Sequence, residues 1–185
     1  MAHIDPDADL LPGLRAGQSA ALAAMMDRHL GKIHALGYYM LGDRSLAEDV
    51  AQDSFLKLWQ AAPNWREGEA RMLTWLRRVA TNNCLDQLRK KGPIYTDDVP
   101  EVSDTSPSAD ASVAQSDTAG LVRDALNSLP NTQRAAISLS YYQEVSQKEG
   151  AAILGVSEKA YESLLSRGRR GLKDRLMTLR EQDVI

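Results

Sequence analysis

Arg71, Trp75, Arg78, Asn82, Asp86 and Arg89 recur at steps of three and four, the spacing that gathers side chains on one face of a helix. Together they suit unpaired nucleic acid. Aromatic rings stack on bases, arginines hold the backbone, and an amide bonds base edges. Residues 71–91 carry six basic groups against Asp86 alone, a local charge of +5. The same spacing also fits a solvated charged face with Trp75 turned inward, and for Trp75 alone burial is the commoner fate.

A second constellation lies at 146–175. Ala151, Gly155, Tyr161 and Leu164 are spaced like the small residue, turn glycine and core residues of a helix-turn-helix. The second helix of such a motif presents its N-terminal half to the major groove. Here that half holds Ser157, Glu158, Lys159, Glu162, Ser163, Ser166 and Arg167. Residues 163–180 carry six basic groups (among them Arg169 and Arg170) against Asp174, again +5, and these would meet phosphates. A plain helical hairpin with a basic face fits the spacing equally.

The third constellation is on 45–61. Ala47, Val50, Ala51, Ser54, Phe55 and Leu58 form an apolar stripe, and Leu46, Asp49, Gln52, Asp53 and Leu56 form the other face. Acids interleaved with leucines suit a protein contact rather than DNA, although a solvated face with incidental leucines is the commoner case.

Signals for catalysis are weak. His29 and His34 are five residues apart, about 140° around a helix, so they and His3 share no metal-ligand spacing. Cys84 falls on the inner stripe of its helix, with Leu76, Val79, Ala80 and Asn83, where a small buried hydrophobe is expected. There is no phosphate-cradling glycine loop and no serine elbow. No enzyme activity, metal or cofactor is expected.

The elements that must position these residues are helical. Period-two alternation is absent, and apolar residues recur at helical spacing over 19–41, 45–61, 70–91, 118–129, 131–142, 146–155 and 157–181. A shorter helix or turn is expected over 10–17. Ser45-x-x-Glu48 and Ser146-x-x-Glu149 read as capping boxes, and Ser157 as the cap of the last helix.

The chain has 185 residues, 43% of them apolar, and a formal charge of −3. That charge is unevenly spread. Residues 1–91 carry +1 and residues 118–185 carry +2, while residues 92–117 hold six acids and no base. This middle segment contains Pro93, Pro100 and Pro107 and is rich in Ser and Asp, so it reads as a flexible acidic linker. The expected architecture is all-α. Two small helical domains, 1–91 and 118–185, flank the linker, and the second holds the helix-turn-helix. The single cysteine allows no intrachain disulfide, no apolar run approaches the ~20 residues of a membrane span, and the acidic start lacks the form of a secretory signal. A cytoplasmic location is expected, without membrane insertion.

Taken together, the chain resembles bacterial sigma factors of the extracytoplasmic-function type, two-domain members of the sigma-70 family. The stretch AEDVAQDSFLKLW at 47–59 is similar to the family's region 2.2, and TWLRRVATNNCLD at 74–86 with RKK at 89–91 to regions 2.3 and 2.4. Ser128-Leu-Pro130 with Arg134 and Leu139 is similar to region 4.1, and 146–175 to region 4.2. The resemblance implies roles. Asp49, Gln52, Asp53, Phe55 and Leu56 would dock on the clamp helices of the polymerase β′ subunit. Residues 64–71, with Arg71, Trp75, Arg78, Asn82 and Arg89, would open the minus-10 element, one base being flipped beside the loop before the helix. Ser157, Lys159, Glu162, Ser163, Ser166, Arg167, Arg169 and Arg170 would read the minus-35 element. The apolar side of 121–142 would meet the β flap, and the linker would thread toward the RNA exit path. Core RNA polymerase, promoter DNA and an anti-sigma factor are the implied partners. The chain departs from the family pattern at Glu149-Gly150-Ala151, where Glu-Ile-Ala is usual, and at Lys159-Ala160-Tyr161-Glu162, where Thr, Val and a base are common. Gly168 also interrupts the basic run Arg167–Arg169. The competing reading is a conventional helix-turn-helix repressor with an N-terminal dimerisation or sensing domain. Such a domain needs neither the Trp-Arg-Asn face nor the acidic-apolar one.

Overall fold

The structure, a computed structural model, describes residues 5–66, 68, 70–91 and 116–182. Among them every regular element is helical. A 3-10 turn at Ala8–Leu10 leads into Leu11–Arg15 (α1), and Ser19–Leu41 (α2) follows. Arg44–Ala61 (α3) runs into a 3-10 turn at Ala62–Asn64, and Met72–Lys91 (α4) completes the first half. The second half comprises Ser116–Asn127 (α5), Asn131–Ile137 (α6) with a π turn at Ser138–Tyr142, Gln147–Leu154 (α7) and Glu158–Gln182 (α8).

Helix α2 is the hub of the first half. Its Met25, Ile33, Leu36 and Met40 are fully buried against Val50, Phe55 and Leu58 of α3 and Leu76, Ala80 and Cys84 of α4. Each of the larger side chains among them, the Met, Ile, Leu, Val and Phe, contributes about 1.5–3 kcal/mol on burial. The stripe expected on α3 is therefore the core stripe. On α4 the buried set is shifted: Leu76, Ala80 and Cys84 are buried as expected, Val79 and Asn83 are half-buried, and Arg77 and Thr81 are buried in addition.

The capping differs from expectation at one end. Asp43, not Ser45, caps α3: its carboxylate accepts from the Leu46 N–H at 3.0 Å, and Ser45 lies exposed within the first turn. An aspartate at the N-cap satisfies a free amide and places negative charge at the positive helix end. Ser146 and Ser157 cap as expected, accepting from the N–H groups of Glu149 and Ala160, both at 3.2 Å.

The expected linker, 92–117, lies outside the described residues except for 116–117, where α5 begins. The two halves it joins pack on each other. Ala135, Leu139, Val145 and Ile153 belong to the same apolar cluster as α2, α3 and α4. Leu126, Leu129, Ala136, Ile137, Ala151, Tyr161, Leu164 and Leu165 form a second cluster within the second half. The reason lies in α6 and the turn after it, where positions 133–139 are all buried. A segment buried on all sides needs neighbours on both faces. The helix-turn-helix covers one face and the first half covers the other.

Polar bonds fix this contact. Buried Arg134 donates from Nη1 to the Met40 carbonyl at 2.9 Å and to Asn127 Oδ1 at 3.1 Å, and from Nη2 to the Asn127 carbonyl. Burial pushes its guanidinium down to about 10, so it stays charged at neutral pH. Gln143 Nε2 donates to the Lys32 carbonyl at 2.9 Å.

Candidate nucleic-acid and polymerase interfaces

Helix α4 has two polar faces with different fates. Arg78, Asn82, Asp86 and Arg89 are exposed along one side, with Arg71 and Trp75 half-buried at its upper end. Trp75 packs partly against the core and meets Trp65 edge to face at 5.6 Å between ring centroids. Arg89 pairs with Asp86 one turn earlier. The expected stripe is thus continuous, with an aromatic pair where it joins the loop at 64–71.

The other polar face of α4 is covered. Arg77 Nη1 donates to Glu149 Oε1 of α7 at 3.1 Å, and its Nη2 donates to the Gln143 carbonyl at 2.9 Å. Thr74 Oγ1 donates to the same Glu149 oxygen at 2.7 Å. Desolvation pulls the Arg77 guanidinium below its usual range, opposed by the attraction of Glu149. One of the six basic groups counted toward the +5 of 71–91 therefore faces protein rather than solvent. Position 77 lies one residue from Leu76 and four before Thr81, on the apolar side of the stripe, which is the signal the charge count missed.

On α3, Asp49, Gln52 and Leu56 are exposed, Leu56 at 53%. Asp53 is half-buried, held by Lys57 Nζ at 2.7 Å and by Asn83 Nδ2 of α4 at 2.8 Å. Phe55, expected on this face, is 2% exposed and belongs to the core beneath it. Its neighbours Val50 and Leu58 are buried with it, so its ring supports the face from inside.

Helices α7 and α8 form the expected helix-turn-helix. Gly155 terminates α7 with φ 68, a left-handed conformation that glycine adopts without strain. Lys159, Glu162, Ser163, Ser166, Arg167, Arg169 and Arg170 are all exposed on α8, as is Ser157 at its N-cap. The Arg169 guanidinium lies 5.6 Å from the Tyr141 ring centroid. Gly168 is buried against α6: a Cβ there would sit 2.9 Å from Ile137 Cγ1, so the break in the basic run is a packing requirement. The apolar side of 121–142 is largely enclosed, with Leu126, Leu129, Ala136 and Ile137 toward α8 and Ala135 and Leu139 toward the first half.

Residues of the acidic N-terminal segment also reach the start of α4. Asp5 Oδ2 accepts from the Met72 N–H at the start of α4 at 2.8 Å. Asp7, 3% exposed, meets His29 Nε2 at 2.8 Å and Arg28 Nη1 at 3.1 Å. Cys84 is buried and its thiol is pushed up to about 12 by desolvation, the state of a core residue rather than a nucleophile. Among the described residues no helix is long and apolar enough to cross a membrane.

Comparison with known proteins agrees with this geometry. The Sigma-70 region 2 family matches residues 25–94, and the Sigma-70, region 4 family matches residues 119–172. The ECF RNA polymerase sigma factor SigM of Mycobacterium tuberculosis is 34% identical over 170 residues, which cover 92% of this chain and 84% of that protein. The ECF RNA polymerase sigma factor SigE of Mycolicibacterium smegmatis is 32% identical over 167 residues, 86% of this chain, and the match spans 64% of that longer protein. Among solved structures, the sigma factor RpoE in complex with the anti-sigma factor NepR from Bartonella quintana superimposes with a TM-score of 0.63 at 26% identity, over 84% of this chain and 96% of that one. With both family regions matched in order, over more than half of its residues, the chain belongs to the extracytoplasmic-function RNA polymerase sigma factors of the sigma-70 family.

Proposed function

We propose that the chain is an alternative sigma factor that carries core RNA polymerase to a specific set of promoters in the cytoplasm and is held in check by an anti-sigma factor. The single observation that carries the reading is the division of surfaces on the first half. An exposed Arg78–Asn82–Arg89 stripe lies on α4, and an exposed Asp49–Gln52–Leu56 face lies on α3. One suits a nucleic-acid strand, the other an apolar and basic protein groove. In this reading α3, with Asp53 at its edge, docks on the β′ clamp helices. Arg71, Trp75, Arg78, Asn82 and Arg89 engage the minus-10 element as it opens. The exposed face of α8, from Ser157 to Arg170, reads the minus-35 element.

Neither half is strongly basic, and that suits a subunit whose two DNA contacts act together once polymerase holds them at fixed spacing. The packing of the halves adds a condition. Ala135 and Leu139 sit in the shared core, so a contact between the apolar side of 121–142 and the β flap requires the second half to part from the first. Control by an anti-sigma factor is supported by the related RpoE, solved in complex with NepR. The test is in vitro transcription with core polymerase on the DNA upstream of the chain's own gene, or on genomic fragments selected by the reconstituted holoenzyme. A defined start that depends on the chain is the expected result. DNA binding to a palindrome without polymerase, and no start with it, would favour the repressor reading instead.

A further inference from the structure

Asp5 and Arg15 tie the N-terminal segment to the two ends of the connection between α3 and α4. At its exit, Asp5 Oδ2 accepts from the N–H of Met72, the first residue of α4, at 2.8 Å. At its entrance, the Arg15 guanidinium donates to the Trp65 carbonyl, and Trp65 in turn stacks edge to face on Trp75. The segment that makes these bonds is itself anchored. Asp7 is 3% exposed and lies between His29 and Arg28 of α2. Arg28 also forms two hydrogen bonds to Asp9, at 2.9 and 2.7 Å. Leu11 and Leu14 of α1 are in the core. The region 2 match begins only at residue 25, so all the bond-making residues of this segment lie ahead of it.

We propose that this N-terminal segment is a brace for the loop beside the minus-10 surface, and that Asp5 and Arg15 are positioning residues for promoter opening. The inference rests on the assignment of α4 and its preceding loop to the minus-10 element. A loop whose ends are already in place captures a flipped base more tightly, because ordering the loop at the moment of capture subtracts from the binding energy. Asp5 supplies a carboxylate at the N-terminus of α4, where first-turn amides have no partner within the helix. Arg15 fixes the peptide that carries Trp65. Both ends of the connection are thereby tied to one anchored segment, and the Trp65–Trp75 pair reports on that tie.

The experiment uses the full chain with Asp5→Ala, Asp5→Asn and Arg15→Ala. In the free protein carrying Trp59→Phe, so that Trp65 and Trp75 are the emitters, acrylamide quenching of tryptophan emission reads the order of that pair. With core polymerase, permanganate reactivity of promoter thymines reads strand opening, and binding to polymerase is measured separately. Asp5→Ala is expected to raise quenching and to lower strand opening about fivefold, the factor that corresponds to loss of one helix cap, and Arg15→Ala to move both readouts in the same direction, each with polymerase affinity within about twofold of the unsubstituted chain. Asp5→Asn is expected to restore both readouts, since an asparagine oxygen caps as well as a carboxylate. Unchanged quenching and unchanged opening in both alanine variants would overturn the brace. Absence of any open complex with the unsubstituted chain would overturn the function on which it rests, while the quenching of the free protein still decides whether the brace orders the loop.

Discussion

Tyr161 fills the space that a side chain at position 150 would occupy. A Cβ built on Gly150 lies 2.3 Å from Tyr161 Cζ and 2.4 Å from its hydroxyl oxygen. The ring is fully buried and its hydroxyl donates to the Ala136 carbonyl at 3.2 Å. Two departures from the family pattern, a glycine in α7 and a tyrosine in α8, are therefore one exchange of volume across the helix-turn-helix. Gly150→Ala gains up to about 1 kcal/mol of helix propensity. It must also displace a ring held by a hydrogen bond, and overpacking costs about 1–3 kcal/mol. Net destabilisation is expected in urea unfolding, and Tyr161→Leu in the same chain should relieve it. A double-mutant cycle should return a coupling of about 0.5–3 kcal/mol. A Gly150→Ala chain more stable than the original would show that the ring does not constrain position 150.

Glu149 and Arg77 bridge the two halves, with side chains 27% and 10% exposed. Removing the carboxylate leaves a largely buried guanidinium without its counter-charge, and removing both leaves apolar volume that can pack. Glu149→Ala is expected to lower stability by about 1–3 kcal/mol, below the figure for a fully buried pair because Glu149 retains some solvent. Arg77→Met added to Glu149→Ala should recover part of that loss. If the double variant is less stable than Glu149→Ala alone, the Gln143 bonds of Arg77 outweigh its unpaired charge.

Cys84 and Tyr161 give the fold an alkaline limit. Burial raises both, Cys84 from 9.0 to about 12 and Tyr161 from 10.0 to about 12. In the unfolded chain these groups lose their protons near the lower values, while the folded chain keeps them. The folded state thus binds more protons between pH 9 and 12, and stability falls as pH rises across that window. The slope is at most about 1.4 kcal/mol per pH unit for each group. Urea unfolding at pH 8 and at several points above 9 should show this fall, and Cys84→Ala should make it shallower. A thiol reagent at pH 8 should react with Cys84 only at the rate of global opening, and rapid labelling of the native chain would contradict its burial.

Much of this molecule was legible in its sequence because helical periodicity and helix ends are local properties. The 19–41 helix, the stripe on α3, Leu76, Ala80 and Cys84 of the stripe on α4, the caps at Ser146 and Ser157 and the turn at Gly155 all follow from residues a few positions apart. The exposed stripe Arg78–Asn82–Arg89 and the exposed face of α8 follow from the same arithmetic. What escaped was non-local. Arg77 looked like one more base in a basic helix, and only its neighbours 66 and 72 residues away make it a bridge. Asp5 looked like a solvated charge, and its partner is 67 residues on. Phe55 could serve as core or as contact by spacing, and burial decides for the core. Asp43 caps α3 although Leu46, three residues on, completes no capping box, whereas Ser45-x-x-Glu48 matches that pattern and lies inside the helix.

The separation of α3 and α4 surfaces predicts a separation of defects. Asp49 is exposed on α3 and makes none of the bonds that hold α3 to α4, whereas Asp53 holds Asn83 at 2.8 Å. Asp49→Arg is thus the cleaner probe, because a change at Asp53 also disturbs the packing beneath it. Like charges placed in an interface cost several kcal/mol, so Asp49→Arg should weaken core polymerase binding by at least about tenfold with the fold intact by circular dichroism. Arg78→Ala and Asn82→Ala act on the exposed stripe of α4. Losing a base contact costs about 1–3 kcal/mol, so strand opening should fall about tenfold in permanganate footprinting while polymerase affinity changes less than about twofold. The two classes should also differ with DNA. An artificially premelted minus-10 duplex bypasses the opening step and should rescue Arg78→Ala in part, but not Asp49→Arg, whose defect lies in the earlier step of holoenzyme assembly. Equal rescue of both variants would mean that α3 and α4 serve one contact rather than two.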